Sequence, residues 1–233
     1  MELFGSQLLS GIMVGAVYAL ISLGIVLVYK STNILNLAQG QILLITAFIT
    51  FFFLNQLQLN PVLAFLCSFA LCALLGYLLE RIFMRPMVGQ PPWAGIMMTI
   101  AFSMILSGVV MLIWGGNIYA YKYFIEPDAT LSLGGIKVGL LLTYCAGISL
   151  AIFVGFLAFF RYSKTGLLMR SVAEDNQTAQ ACGISVRRIF SQSWILAAIV
   201  AAVGAYAMGS LGQVSFYLEL YGLKMVFVAL LGG

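Results

Sequence analysis

Residues 161–190, RYSKTGLLMRSVAEDNQTAQACGISVRRIF, form one long polar island in a chain that is otherwise almost all apolar. The island holds Arg161, Lys164, Arg170, Arg187 and Arg188, five of the 11 Lys and Arg residues. At the centre of a bilayer each such charge costs about 2.5–3.5 kcal/mol on the insertion scale, so five in one stretch cannot be threaded through lipid. The island therefore sits in water, and basic loops between membrane spans stay on the cytoplasmic side. The remainder fits that reading. The chain is 63% hydrophobic and 8% charged, whereas a soluble domain carries about 25% charged residues. A net charge of +4 in such a chain reports topology, since its cations cluster at the ends of apolar runs, and nucleic acid is not expected as a partner.

Inside the island a small helix carries its own punctuation. Asp175 can accept the backbone N–H of Gln177 or Thr178, Ala179 and Ala181 lie in the run that follows, and Gly183 stands where a left-handed residue ends a helix. Ile184 supplies the usual apolar contact. A two-turn helix is unstable alone in water, so it needs something to pack on. Either another protein docks there, with the small sides of Ala179 and Ala181 allowing close approach, or the loop is a solvated segment that merely sets topology.

The apolar runs come in spanning lengths. Residues 8–29 make the first; an acidic start with no cation before Lys30 argues against a signal peptide and puts the N-terminus outside. Gly11 and Gly15 permit close helix approach. Next comes STNILNLAQGQ, where Asn33, Asn36, Gln39 and Gln41 give four amides in nine residues around Gly40. Such backbone-breaking polar sequence is tolerated at membrane depth only when buried in protein or lining a wet cavity; the alternative is an ordinary turn before a second span. After a turn from Asn55 to Pro61 the third span runs to Leu79, with Glu80, Arg81 and Arg85-Pro86 as a charged, proline-stopped helix end. The fourth lies between Trp93 and Trp114. Its Thr99, Ser103 and Ser107 share a face, which either lines a path or bonds back to the helix. Residues 115–137, with Lys122, Glu126, Asp128 and Lys137, suit an outer loop. Spans five (138–160) and six (191–211) carry small-residue stripes, Gly147, Ala151 and Gly155 on one and Ala197, Ala201, Ala205 and Gly209 on the other. An outer turn, GQVSFYLELYG, then leads to a short apolar run at the C-terminus.

Several chemistries are excluded by residue type. Without histidine there is no His-based triad, HExxH zinc site or haem-binding His, and the four cysteines form no CxxC pair, so no metal or cofactor is expected. No GxxxxGK[ST] occurs, and no acidic residue is expected deep inside an apolar run, which leaves neither a P-loop nor a coupling-ion site. A transporter built this way must borrow its energy. A passive channel or facilitator would explain the neutral spans without explaining the capped helix, and a membrane-embedded enzyme would need a reactive cluster that the sequence lacks.

The island resembles the cytoplasmic loop of permease subunits of ABC importers of the branched-chain amino acid type, whose pattern reads TxLGxAMRAVAEDPxAAxLLGI. Thr165, Gly166, Met169, Arg170, Val172, Ala173, Glu174, Asp175, Ala179, Gly183 and Ile184 match it. Asn36, Ala38, Gln39 and Gly40 are similar to that family's LNFAQGE, with Gln41 standing where the pattern has Glu. Glu80, Arg81, Arg85 and Pro86 resemble its ERxxxRPLRG; Ala101 replaces the glycine of TIGxS. The resemblance covers the whole chain and implies an all-α polytopic bundle of about six complete spans plus a truncated seventh. It makes residues 1–233 a single transmembrane permease domain, incomplete at its C-terminus, with 161–190 as the coupling loop. It implies cytoplasmic ATPase subunits, a second permease subunit and a solute-binding protein as partners in a bacterial inner membrane. Arg170, Glu174, Asp175, Ala179 and Gly183 are then the ATPase-coupling residues. Asn33, Asn36, Gln39, Gly40, Gln41, Thr99 and Ser103 are those of the translocation path, for branched-chain or other hydrophobic amino acids, with urea or amides as the alternative cargo within the family.

Overall fold

The computed structural model describes residues 2–121, 129–133 and 136–232. Helix α1 (Glu2–Thr32) has 31 residues, about 46 Å at 1.5 Å per residue, and so outreaches a hydrocarbon core of about 30 Å. After a break at residues 33–38 the chain turns back as α2 (Gln39–Phe51), prolonged by a π-helical turn, Phe52–Gln56. Helix α3 (Pro61–Leu79) starts from Asn60, whose side chain accepts the Val62 amide at 3.1 Å; Pro61 follows at the first helical position, where a missing N–H leaves nothing unpaired. Then come α4 (Pro92–Trp114), an antiparallel hairpin of β1 (Thr130–Leu133) and β2 (Ile136–Gly139), α5 (Leu140–Tyr162), α6 (Lys164–Glu174), α7 (Asn176–Ala181), α8 (Val186–Leu211) and α9 (Glu219–Gly232). Among the described residues six helical segments are long and apolar enough to cross a membrane. The all-α polytopic bundle expected from the sequence is thus observed, with α9 as the short seventh helix and the hairpin as an addition that the sequence did not announce.

Helix α8 is the hub, packed against α1, α2 and α3. Its stripe of small side chains permits this: Ala197, Ala201 and Ala205 are fully buried, and backbones can approach where side chains are short. Gly204 sits under Ile21 of α1, and Gly76 of α3 lies against the Trp194 carbonyl and Ala198. The matching stripe on α5 has no such partner, since a Cβ at Gly147 or Gly155 would meet nothing within 4 Å, and the same holds for Gly11 and Gly15 of α1.

The bundle has two ends. One gathers the start of α1, the α2–α3 turn, Trp114 and Gly212, tied by paired hydrogen bonds between Tyr119 and Val214. The other gathers Thr32, the α3–α4 turn and the polar island. Lys122, Glu126 and Asp128 of the expected outer loop lie outside the described residues.

Three expectations change. Helix α3 does not stop at Leu79, because a π-helical turn, Glu80–Met84, and a 3-10 turn, Arg85–Met87, carry it onward. Pro86 sits inside that last turn, where its missing amide is tolerated. The run GQVSFYLELYG is not all outer turn: from Glu219 the chain is helical and folds back against α1 and α2. Finally, acidic side chains do enter the bundle. Glu80 is fully buried, ion-paired with Arg85 at 3.1 Å and bonded by the Ser191 hydroxyl of α8; Glu219 accepts from Ser107 of α4 at 2.8 Å.

Candidate translocation and coupling sites

The break between α1 and α2 is buried within the bundle. Asn33 turns the chain with φ 56°, a conformation that asparagine tolerates better than most residues, and its side-chain amide donates to Ala173 O of α6 at 2.6 Å. Ile34 to Ala38 then run without helical bonds until Gln39. The polar groups close on one another: Asn36 Nδ2 donates to Gln39 Oε1 at 3.1 Å, Asn36 Oδ1 accepts from the Ala38 amide at 3.1 Å, and Gln39 Nε2 donates to Ala197 O of α8 at 3.3 Å. Asn36 and Gln39 are both fully buried. This is the protein-buried irregular backbone that lipid would not tolerate.

Its depth follows from its neighbours. Gln39 lies against Gly24 of α1 and Ala197 of α8. Gly24 precedes Thr32 by 8 residues and Ala197 follows Val186 by 11, which at 1.5 Å per residue is about 12 and 16 Å from the polar-island end. The start of α2 therefore lies about 12–16 Å in from the polar-island end of the bundle. Gly40 makes this geometry possible: a Cβ there would stand 2.3 Å from Glu219 O and 2.9 Å from Gly222 Cα, so α2 and α9 cross with backbones touching. Gln41 Oε1 is buried without a partner.

The hydroxyl face of α4 is divided. Thr99 is buried, donates to Ile96 O at 2.7 Å and accepts the Leu37 amide at 3.4 Å, which ties α4 to the break. Ser103 bonds back to Ile100 O at 2.7 Å, while Ser107 reaches across to Glu219. Asn36, Gln39, Gly40 and Thr99 are thus one cluster; Asn33 sits at the island end and Ser103 stands apart. The sequence did not bring Glu219, Ser107 and Gly222 to this place. Only the backward fold of α9 does so.

The polar island contains two helices. Ser163 caps α6, accepting the Gly166 amide at 2.9 Å. Asp175 caps α7, accepting from the Thr178 hydroxyl and from the amides of Gln177 at 2.8 Å and Thr178 at 3.3 Å, and these bonds hold its carboxyl below the usual carboxylate range. At the far end Gly183, with φ 81°, donates to Gln180 O at 2.9 Å and Ile184 to Ala179 O at 3.0 Å, the two bonds of a Schellman ending. Both caps stand where the sequence placed them. The outward face differs from expectation. Ala179 is buried with Met169, Val172, Val186, Ile189 and Phe190 in a small core of the island itself. Gln177, Thr178, Gln180 and Ala181 are exposed, as are Arg170 and Glu174. Ala179 is the seat of α7 on the island, because the i, i+3, i+4 geometry turns it toward α6 and α8.

The family described as branched-chain amino acid transport system / permease component matches residues 7–233. The high-affinity branched-chain amino acid transport system permease protein BraD of Pseudomonas aeruginosa is 27% identical over 240 residues, 97% of this chain and 78% of its own. The corresponding LivH of Escherichia coli K12 is 26% identical over 243 residues, 99% of this chain and 79% of its own. A probable LivH of Methanocaldococcus jannaschii is 27% identical over 193 residues, covering 79% and 59%. No solved structure matches. With six spans, a buried break and a capped helix outside the bundle, matched by the family model over nearly its whole length, the chain belongs to the branched-chain amino acid transport system permease family.

Proposed function

We propose that the chain forms the membrane path of an ATP-driven importer for small zwitterionic amino acids with apolar side chains, branched-chain ones above all. It lies as a multi-pass protein in the inner membrane, N-terminus outside and residues 161–190 in the cytoplasm. A separate ATPase docks on α7, a second permease subunit completes the path, and a solute-binding protein delivers cargo from outside. The observation that carries this reading is α7: a six-residue helix, too short to persist alone, capped at both ends and seated on its own core outside the spans. The exposed set Gln177, Thr178, Gln180 and Ala181 is the docking face, with Arg170 and Glu174 beside it. The cluster of Asn36, Gln39, Gly40, Gln41 and Thr99, together with Asn33 and Ser103, is the neutral, amide- and hydroxyl-bearing route suited to such a cargo. A passive facilitator has no use for the docking helix.

The test is pull-down of the ATPase and ATP-driven uptake of leucine in proteoliposomes. Ala181→Arg is expected to insert normally, lose the ATPase and lose uptake. Gly183→Val forces a branched side chain into positive φ at a cost of about 1–3 kcal/mol and is expected to weaken both. An Ala181→Arg protein that bound the ATPase as wild type does would remove α7 as the interface.

A further inference from the structure

Helix α8 ends in carbonyls that no amide meets. Met208 O accepts the Gly212 amide at 3.1 Å, and beyond it the carbonyls of Gly209, Ser210 and Leu211 accept no backbone amide among the described residues. Orphan carbonyls are usual at a helix C-terminus, where together they carry about half a negative charge. Here they border a cavity of about 550 Å³, a volume in the range of small-ligand sites, at the end of the bundle opposite the polar island. Leu211 and Gly212 line it from α8, Tyr18 from α1, and Gln213 and Tyr217 from the turn after α8.

Two chemistries meet in this lining. The end of α8 favours a cation, and the phenol rings of Tyr18 and Tyr217 attract one over their faces. Tyr221 lines the cavity too, but Lys224 already rests over its ring, 5.0 Å from the centroid, so it is not counted as a free face. The aliphatic side chains of Val14, Met208, Leu211 and Leu218 make the apolar part. No Asp, Glu, Lys or Arg is among the lining residues. A bare cation taken out of water needs a counter-charge, which the lining does not offer. A zwitterion brings its own carboxylate, and an apolar side chain on it gains from the aliphatic wall. The cavity thus suits an amino acid with an apolar side chain, held by its ammonium.

We propose that this cavity binds the transported amino acid, with its ammonium against the carbonyl end of α8 beside Tyr18 and Tyr217. The inference rests on the importer reading above and adds to it a cargo site at the end opposite the ATPase.

The test uses the full chain assembled with its ATPase in proteoliposomes, without solute-binding protein, so that only the added small molecule covers the cavity. Ser215 and Gln213 both line it. Ser215→Cys and, separately, Gln213→Cys, each in a background without the native cysteines, are modified with methyl methanethiosulfonate, and the half-protecting concentration of leucine is measured. Leucine is expected to slow the modification, and leucinol, which keeps the ammonium, to slow it as well. Leucic acid, with a hydroxyl in place of the ammonium, is expected to leave the rate unchanged. Tyr217→Leu and Tyr18→Leu are each expected to raise the half-protecting concentration of leucine about two- to fivefold, and Tyr217→Phe and Tyr18→Phe to leave it as it is. No protection by leucine at either position overturns the proposal, and so does equal protection by leucic acid. Protection that arises only when solute-binding protein is added overturns it too, and gives the cavity to a side chain of that protein. Uptake is read separately: with solute-binding protein and ATP present, leucine uptake by the wild type keeps the importer reading standing whatever the labelling shows, and no uptake brings that reading down.

Discussion

Glu80 is the residue whose environment is most demanding. Its carboxylate is fully buried where α3 passes into its π-helical turn, with the Arg85 guanidinium and the Ser191 hydroxyl as its partners. Five residues separate Glu80 from Arg85, and an ordinary α-helix would swing them about 140° apart; the wide turn of Glu80–Met84 brings them to one side. Removing one partner of a buried pair leaves the other charge uncompensated, at 3–5 kcal/mol when both are buried. The Arg85 side chain is 33% exposed, so water replaces part of what is lost, and Arg85→Met is expected to destabilise by about 2–3 kcal/mol. Glu80→Gln removes the charge while keeping an acceptor for Ser191 and is expected to cost less. Thermal unfolding of the two variants in one detergent checks the order. An Arg85→Met protein as stable as wild type would mean that water already satisfies Glu80.

At the scale of the element, the sequence was legible wherever structure is local. The caps of α7 rest on residues two to five positions apart, so Asp175, Gly183 and Ile184 announced both its ends. The break announced itself because amides and a glycine interrupt an apolar run, a combination that lipid forbids. What stayed hidden needs tertiary neighbours: the inward turn of Ala179 depends on α6 being a helix beneath it, and the buried Glu80 beyond Leu79 has its hydroxyl partner in Ser191, 111 residues away. The break also shows why its two amides are not interchangeable with apolar side chains. Gln39 joins α2 to α8 through Ala197 O and to the break through Asn36, so Gln39→Leu leaves the buried Asn36 amide unpaired, at about 1–3 kcal/mol, while Ala197 O keeps its bond within α8. The expected outcome is a protein that inserts and binds the ATPase yet transports leucine several-fold more slowly. Normal uptake by both Gln39→Leu and Asn36→Leu would reduce the segment to a structural turn.

The whole molecule is lopsided, and that asymmetry was only half legible. Small-residue stripes on α5 and α8 look alike in sequence, yet α8 is enclosed by α1, α2 and α3 while Gly147 and Gly155 of α5 face open space. A stripe states that close approach is possible and does not say with whom. The fold-back of α9 was likewise unreadable, because its cause is the touching of Gly40 and Gly222, 182 positions apart. Orientation, by contrast, is a property of charge distribution, and the structure supplies its own reporter. Cys182 is exposed at the end of α7, whereas Cys72 and Cys145 are buried and Cys67 is intermediate. On the proposed orientation, with the basic island in the cytoplasm, a membrane-impermeant maleimide should label Cys182 in inside-out vesicles and not in intact cells. Gln213, exposed in the turn after α8 at the opposite end, gives the converse: in a protein lacking the native cysteines, Gln213→Cys should label from outside. Because both positions lie on segments joined to the same helix α8, one at each of its ends, the two results must be opposite, and the reverse pair would invert the molecule and remove α7 from the side on which ATP is hydrolysed.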